Sequence, residues 1–203
     1  MEFRLRVSCL HTSLASIAAY EAAAPKGMRL THHLRTDLEH RARTAGIDDG
    51  LAEELRMHLQ RIGAGNDAVL LTSLHLARAA GPGLAADVLL AEELAARAQG
   101  KHVDVLHSDP ADTFAVGRLF GATVGAASVR LIAVPDAHQR LLAGDRIGHD
   151  RAIRDAIGNS TADLVVLANP QMAQVASPGS RVFSAPRVAL RRIAERAPHL
   201  RGG

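Results

Sequence analysis

The chain is poor in aromatic residues: no tryptophan, one tyrosine and four phenylalanines in 203 residues. Proteins that hold single-stranded nucleic acid need ring faces on which bases can stack, and those are nearly missing. Charge of one sign is also scarce, with 24 Lys+Arg against 21 Asp+Glu and a net charge of +3. The pI of about 9.7 reflects the high pKa of arginine rather than a cationic surface, because the arginines are spread along helix-like segments. The one basic run, Arg187 to Arg201, reads as a solvated helix face with cations toward its C-terminal end. No nucleic-acid partner is expected. Cys9 is the sole cysteine, which excludes an intrachain disulfide and favours a reducing compartment, with the cytoplasm as the default. No apolar run approaches the ~20 residues of a membrane span, so no membrane partner is expected. The amino-terminal stretch carries Arg4 and Arg6 in a strand-like alternation and does not read as a signal peptide. No G-x-G-x-x-G or Walker pattern follows any strand-like run, which argues against a nucleotide-binding protein.

Hydrophobic residues, 47% of the chain, are ample for a core of one large domain or two small ones. The organising stretch is AVLLTSLHLA, Ala68 to Ala77, an apolar run that stops abruptly at Thr72, Ser73 and His75. Polar residues at the carboxyl end of a buried strand mark where an open α/β sheet places its ligand. ADLVVLANPQMA, Ala162 to Ala173, repeats the shape, and Ser73 and Asn169 are 169 − 73 = 96 apart. VSCLHTS and VDVLHSD give the same offset, 107 − 11 = 96, between His11 and His107. ADVLL at Ala86 to Leu90 lands, with 96 added, on VFSAP at Val182 to Pro186. One offset shared by three pairs predicts a duplicated architecture.

Strand-like runs alternate with helix-like segments of about ten residues, which implies crossover connections and parallel sheets. Strands are expected over Arg4 to Leu10, Met28 to Leu34 (nearer an edge), the run ending at Thr72, Asp87 to Leu90, Val103 to Leu106, Val129 to Val134, Leu164 to Leu167 and Val182-Phe183. Helices are expected over Leu14 to Ala24, from a cap at Asp37 to Ala45, Leu51 to Ile62, Ser73 to Ala80, Ala91 to Gln99, Ala111 to Phe120, up to Leu142, Arg151 to Ile157 and Arg187 to Arg196. The fold class is therefore α/β, with two pseudo-symmetric flavodoxin-like halves, each a mainly parallel sheet flanked by helices. The expected first half is 1–90 plus 184–203 and the second is 91–183.

Parallel strands point their carboxyl ends the same way. His11, Thr12, Ser13, Thr72, Ser73, Leu74, His75, His107, Ser108, Asn169 and Gln171 should thus lie at the rims of their sheets, and if the halves face each other the rims meet in a cleft. Hydroxyls and unpaired amides of first helical turns form a natural receptor for a carboxylate or phosphate.

LLTSLH at Leu70 to His75, GDRIGHD at Gly144 to Asp150, ADLVVLANPQMA, and FSAPRVALRRIAE at Phe183 to Glu195 resemble the aspartate/glutamate/hydantoin racemase superfamily over nearly the whole chain. GDRIGHD with a downstream VVLA-x-x-x-MA is the more specific part of the likeness. The resemblance implies two α/β halves with a small carboxylate or amino acid held between them by strand-end Thr, Ser and Asn. It also implies two cysteines, one from each half, acting as base and acid on opposite faces of the substrate carbon, with no cofactor and no metal. This chain departs from that pattern: Ser73 stands at the first cysteine position and Asn169-Pro170 at the second. A serine hydroxyl is no base unless a neighbour activates it, so two-thiol chemistry should be lost. Cys9, inside the first strand, reads as a small core residue.

Histidine is the side chain that could replace the thiols at neutral pH. His11, His75 and His107 follow three strands, and His75 or His11 is the leading proton-handling group, with Thr72, Ser73 and Ser108 as donors to a developing enolate-like charge. Two functions stay open at this point. One is an isomerase or decarboxylase-type lyase that moves a proton at the α-carbon; the other is a non-catalytic carboxylate-binding sensor or partner subunit. The spacings of His11, His75, His107 and Asp109 match no zinc signature. His149-Asp150 reads as structural, with Asp150 an N-cap of the following helix. His32, His33, His40 and His58 read as surface. A homo-oligomer is left open.

Overall fold

The structure, a computed structural model, describes residues 5–81, 83–177 and 181–200, with the side chains of the last helix as far as 196. The expected strand start at Arg4, the middle of the Gly81-Pro82-Gly83 turn and Arg201 lie outside the described residues. In chain order the elements are β1 (Leu5–His11), α1 (Ile17–Ala23), β2 (Met28–Leu34), α2 (Thr36–Ala45), α3 (Asp49–Gly63), β3 (Ala68–Leu71), α4 (Ala86–Arg97), β4 (His102–His107), α5 (Thr113–Phe120), β5 (Ser128–Ala133), α6 (Pro135–Leu142), α7 (Arg146–Asn159), β6 (Leu164–Leu167), β7 (Val182–Ser184) and α8 (Ala185–Leu200).

One compact unit comprises Met1–Leu89 with Pro186–Gly203, the other Leu90–Ala185. The first holds a three-stranded sheet of order β2-β1-β3 and the second a four-stranded sheet of order β5-β4-β6-β7; every pairing is parallel. β1 and β4 lie between neighbours and face helices on both sides, so all of β1 but Arg6 and all of β4 but His102 are buried, the continuous burial expected of central parallel strands. β2, more polar, is at an edge as its composition suggests.

Helix α3 illustrates how the first unit is held. Asp48 caps it by accepting the Leu51 N–H at 2.7 Å, which satisfies one of the unpaired first-turn amides. Leu51, Leu55, Leu59 and Ile62, one side of the helix, pack into a core with Leu10 and Leu71 of the sheet. Each such buried leucine contributes about 1.5–3 kcal/mol. The second unit repeats the arrangement with Ile153 of α7 against Leu106, Val165 and Leu167.

The offset of 96 reappears in the hydrogen bonds. The Arg6 N–H donates to the Asp67 carboxylate, and the His102 N–H donates to Asp163; 102 − 6 and 163 − 67 are both 96. The Thr72 N–H donates to the Leu10 carbonyl and that of Ala168 to Leu106; Arg35 N–H caps the His11 carbonyl as Val134 N–H caps that of His107. Each half therefore ends its central strand with the same backbone solution.

Four expectations are corrected. Asp87 to Leu90 is not a strand but the first turn of α4; Ala86, Leu89, Leu90 and Leu94 are buried at helical spacing, and a four-residue apolar run cannot by itself distinguish the two periods. The third offset pair thus joins a helix to a strand, and only Ala85, bridged to Leu71, extends the first sheet. The segment after Ser73 is a series of turns, with bonds from Ala77 N–H to Leu74 and from Ala79 N–H to Leu76, because burying Leu76, Ala77 and Ala80 in the core outweighs helix propensity. Helix α7 begins at Arg146 with Asp145 as its cap, accepting the Gly148 N–H at 2.8 Å, so Asp150 is not an N-cap. Asp37 lies within the first turn of α2 and binds Arg35 instead of capping.

The second sheet pairs a buried carboxylate with an exposed arginine. Asp104 on β4 receives Arg130 from β5 at 2.8 Å on each oxygen and the Ser160 hydroxyl at 2.6 Å. Burial alone would raise its carboxyl, but the Arg130 and Ser160 hydrogen bonds and the Arg130 charge outweigh burial and hold it below the usual carboxylate range. A group depressed on folding stabilises above its unfolded pKa, and that stability is lost as pH falls through the folded value. Asp104→Asn should cost about 1–2 kcal/mol at neutral pH, and the gap to wild type should close below pH ~4, read from urea denaturation across a pH series.

Candidate functional site

In the first unit β1 and β3 deliver His11, Thr12, Thr72 and Ser73 to the same edge of the sheet, all four buried. A residue not anticipated from sequence joins them. Glu39, on α2, accepts a hydrogen bond from the Thr12 hydroxyl and another, at 3.0 Å, from the Ser73 hydroxyl, both on Oε2, while Arg43 reaches Oε1 at 3.4 Å. The residue at the first cysteine position of the resemblance is thus a serine with a carboxylate directly behind it. On the sequence Glu39 looked like any helix-surface acid with an i,i+4 arginine; nothing local marks it as facing two strand ends. Ser13 is exposed and Leu74 and His75 are half-buried.

His11 is closed off. Its Nδ1 lies 2.9 Å from the Thr72 hydroxyl and its Nε2 lies 2.8 Å from Nδ1 of His32, whose Nε2 in turn lies 2.7 Å from Glu21. Tyr20 stands edge-on to the imidazole with ring centroids 5.5 Å apart. Burial, and then the neighbouring imidazoles of His32 and His33, push His11 down to about 4, so it is neutral at neutral pH. His32, expected as a surface residue, is half-buried and belongs to this chain of contacts. Burial, reinforced by Glu21, pushes the Cys9 thiol up to about 12; with its side chain wholly buried, Cys9 does not stand in for a missing thiolate.

In the second unit the same edge carries His107, Ser108 and Asn169, all buried. The Asn169 carboxamide oxygen accepts the Ser108 N–H at 2.8 Å and its hydroxyl at 3.4 Å, while Nδ2 donates to Asp112 at 2.6 Å. A backbone donor on one side and a carboxylate on the other fix the orientation of the amide. Asp112, buried in the turn before α5, is the second residue at these strand ends that the sequence did not mark. Nδ1 of His107 lies 3.1 Å from the Asp109 carbonyl. A carbonyl can only accept, so this nitrogen carries the proton and Nε2 is the lone-pair nitrogen. Gln171 is half-buried, and its carbonyl receives Arg146 at 2.9 Å. His149 is wholly buried on α7, with Nδ1 2.8 Å from Asp150; Asp150 also pairs with Arg146 at 3.0 Å, so both residues are tied into the helix.

No protein-family model matches the sequence, and no curated protein matches it. Solved structures do. Aspartate racemase from Picrophilus torridus superposes with a TM-score of 0.64 at 10% identity, over 96% of this chain and 94% of that one. Allantoin racemase from Klebsiella pneumoniae gives 0.63 at 16% identity, over 96% and 88%. Glutamate racemase from Campylobacter jejuni gives 0.58 at 13% identity, over 95% and 86%. The chain has the racemase fold. At these identities the likeness is one of architecture, and it covers both halves. Among the described residues no helix of this racemase fold is long and apolar enough to cross a membrane.

Replacing Asn169 by alanine would remove the acceptor of the Ser108 N–H and one donor to the Asp112 carboxylate in a buried place. Asn169→Ala should lower stability by about 1–3 kcal/mol, whereas Gln171→Ala, whose side chain holds no comparable bonds, should stay within about 0.5 kcal/mol; urea titration of both variants checks the difference.

Proposed function

We propose that the chain is a racemase-like isomerase or lyase that moves a proton at the α-carbon of a small carboxylate or amino acid, with the two-thiol mechanism replaced. The observation that carries this reading is the pair of carboxylates behind the two former thiol positions, Glu39 on Ser73 and Asp112 on Asn169. A chain that had only lost its cysteines would need no acid at either place. The racemase fold supports the reaction class, and the aspartate, allantoin and glutamate of its neighbours' names give the first substrates to try.

His107 serves as the general base. Its tautomer is set by the Asp109 carbonyl, so Nε2 accepts the α-proton and the imidazole becomes a cation. In the first unit Ser73 with Glu39 forms a proton-handling couple of its own: as the Ser73 oxygen takes up a proton, the proton of its hydroxyl passes to the Glu39 carboxylate that accepts its hydrogen bond, and the reverse transfer hands it back. The enolate-like charge left by proton removal requires donors already in place, a role we assign to the Thr72 turn, with Thr12 beside it, in the first unit and to the Ser108 turn, with Asn169 beside it, in the second. His11 has both ring nitrogens engaged, by Thr72 and His32, and takes no part in the proton transfers. His75 follows Ser73 by two residues and is the remaining candidate for contact with substrate.

Exchange of the α-proton into deuterated water, followed by NMR over aspartate, glutamate, allantoin and related dicarboxylates, tests the reading. At least one compound should exchange, and His107→Gln and Glu39→Gln should each slow exchange by about 10²–10⁴-fold with little change in melting temperature. Unchanged exchange in both variants would overturn the assignment of residues. Thermal stabilisation by one of these compounds with no exchange at all would overturn the enzyme and leave a carboxylate-binding protein.

A further inference from the structure

One cluster of chemistry-bearing side chains has no part in the reaction above. Cys9 and His11 are two apart on β1 and so point to the same face of the sheet, and the parallel register places His32 of β2 beside Cys9. Cys9 Sγ, one nitrogen of His11 and one of His32 all lie within 4.8 Å of one another. We propose that Cys9, His11 and His32 form a binding site for a borderline-soft transition-metal ion, zinc foremost.

Three features support it. The donor set is one sulfur and two imidazoles, which selects zinc and its neighbours over magnesium or calcium, whose ligands are oxygens. At zinc bond lengths of about 2.3 Å to sulfur and 2.0–2.1 Å to nitrogen, tetrahedral ligand atoms stand about 3.3–3.6 Å apart. The three ligand atoms lie within 4.8 Å of one another, with 2.8 Å between the two imidazole nitrogens, so an ion enters by parting the histidines by about half an ångström. The outer contacts are those of a ligand pair. His11 has its other nitrogen on the Thr72 hydroxyl at 2.9 Å and His32 has its other nitrogen on Glu21 at 2.7 Å. Ligating histidines are held in this way by a hydrogen-bond partner on the far nitrogen, which fixes the ring and its tautomer.

Binding replaces the Cys9 thiol proton with the metal and releases it to solvent. The thiolate and Glu21 together balance the two charges of the ion. Cys9 and His11 are wholly buried, whereas the His32 side chain is 19% exposed, so the ion arrives from the β2 edge. Three protein ligands leave a fourth position for water, the open arrangement of a zinc site that is not purely structural. The site shares no residue with Ser73, Glu39, Asp112 or His107, and its failure would leave the proposed reaction untouched.

The test uses the full chain, freed of metal with a chelator and dialysed. Titration calorimetry with Zn²⁺ alone should give one equivalent at roughly micromolar or tighter affinity, with Mg²⁺ giving none. Co²⁺ should produce a thiolate-to-cobalt charge-transfer band in the near ultraviolet. Cys9→Ala should abolish that band. His32→Gln, a change at a partly exposed edge-strand position, should weaken zinc binding at least about 100-fold, and Glu21→Gln about 10-fold or more. If Cys9→Ala does not fold, His32→Gln and the cobalt spectrum of the unaltered chain still decide. No stoichiometric zinc, no thiolate band, or binding that survives His32→Gln would overturn the proposal and leave a hydrogen-bonded imidazole pair beside a core thiol.

Discussion

Parallel pairing of β1 with its two neighbours, and of β4 with its own, is the constraint on which the rest depends. Because the hydrogen bonds of a parallel ladder hold strands in one direction, the carboxyl ends of β1 and β3 fall on one edge, as do those of β4 and β6. The backbone then finishes the job: the carbonyls of His11 and His107 accept the N–H groups of Arg35 and Val134, while those of Leu10 and Leu106 accept Thr72 and Ala168. The chain leaves each central strand at a fixed place with polar residues next in line. Burial of the strands is what makes those residues matter, since hydroxyls and amides held there must find partners within the protein.

The halves use the same scaffold for different chemistry. In the first, two hydroxyls converge on Glu39; in the second, a carboxamide bridges Ser108 and Asp112. His11 and His107 are equivalent by the offset of 96, yet one is locked between Thr72 and His32 and the other is oriented by a single backbone carbonyl. The cause is the neighbouring strand. β2 brings His32 beside Cys9 and within reach of His11, whereas β5 brings Leu131 and Ile132 beside Val105 and Leu106, which offer no polar partner. The two halves therefore share similar rims, and their edge strands make them different.

Glu39, Asp112 and His32 show where sequence reading stopped. Each is separated in the chain from the residues it touches, Glu39 by 27 residues from Thr12 and by 34 from Ser73, and Asp112 by 57 from Asn169. No local pattern reports such a meeting, because helix-surface acids and edge-strand histidines have the same sequence signature whether they face solvent or a neighbour. The errors over Ala86 to Leu90 and the turns after Ser73 have the same origin. Short apolar or alanine-rich segments carry weak local preferences, and the packing around them decides.

What the sequence determined by itself was the alternation of strands and helices, the repeat at an offset of 96, the strand ends at His11, Thr72, His107 and Asn169, and the absence of cysteine from the positions at which the resemblance expects it. These follow from periodicity and from residue types that end strands, which are properties of neighbouring positions. Only the tertiary structure decided which carboxylate stands behind Ser73, which nitrogen of His107 carries a proton, and that Cys9, His11 and His32 share one face. Hydrogen bonds and ligand geometry act over about 3 Å of space, and the fold alone sets which distant residues come that close.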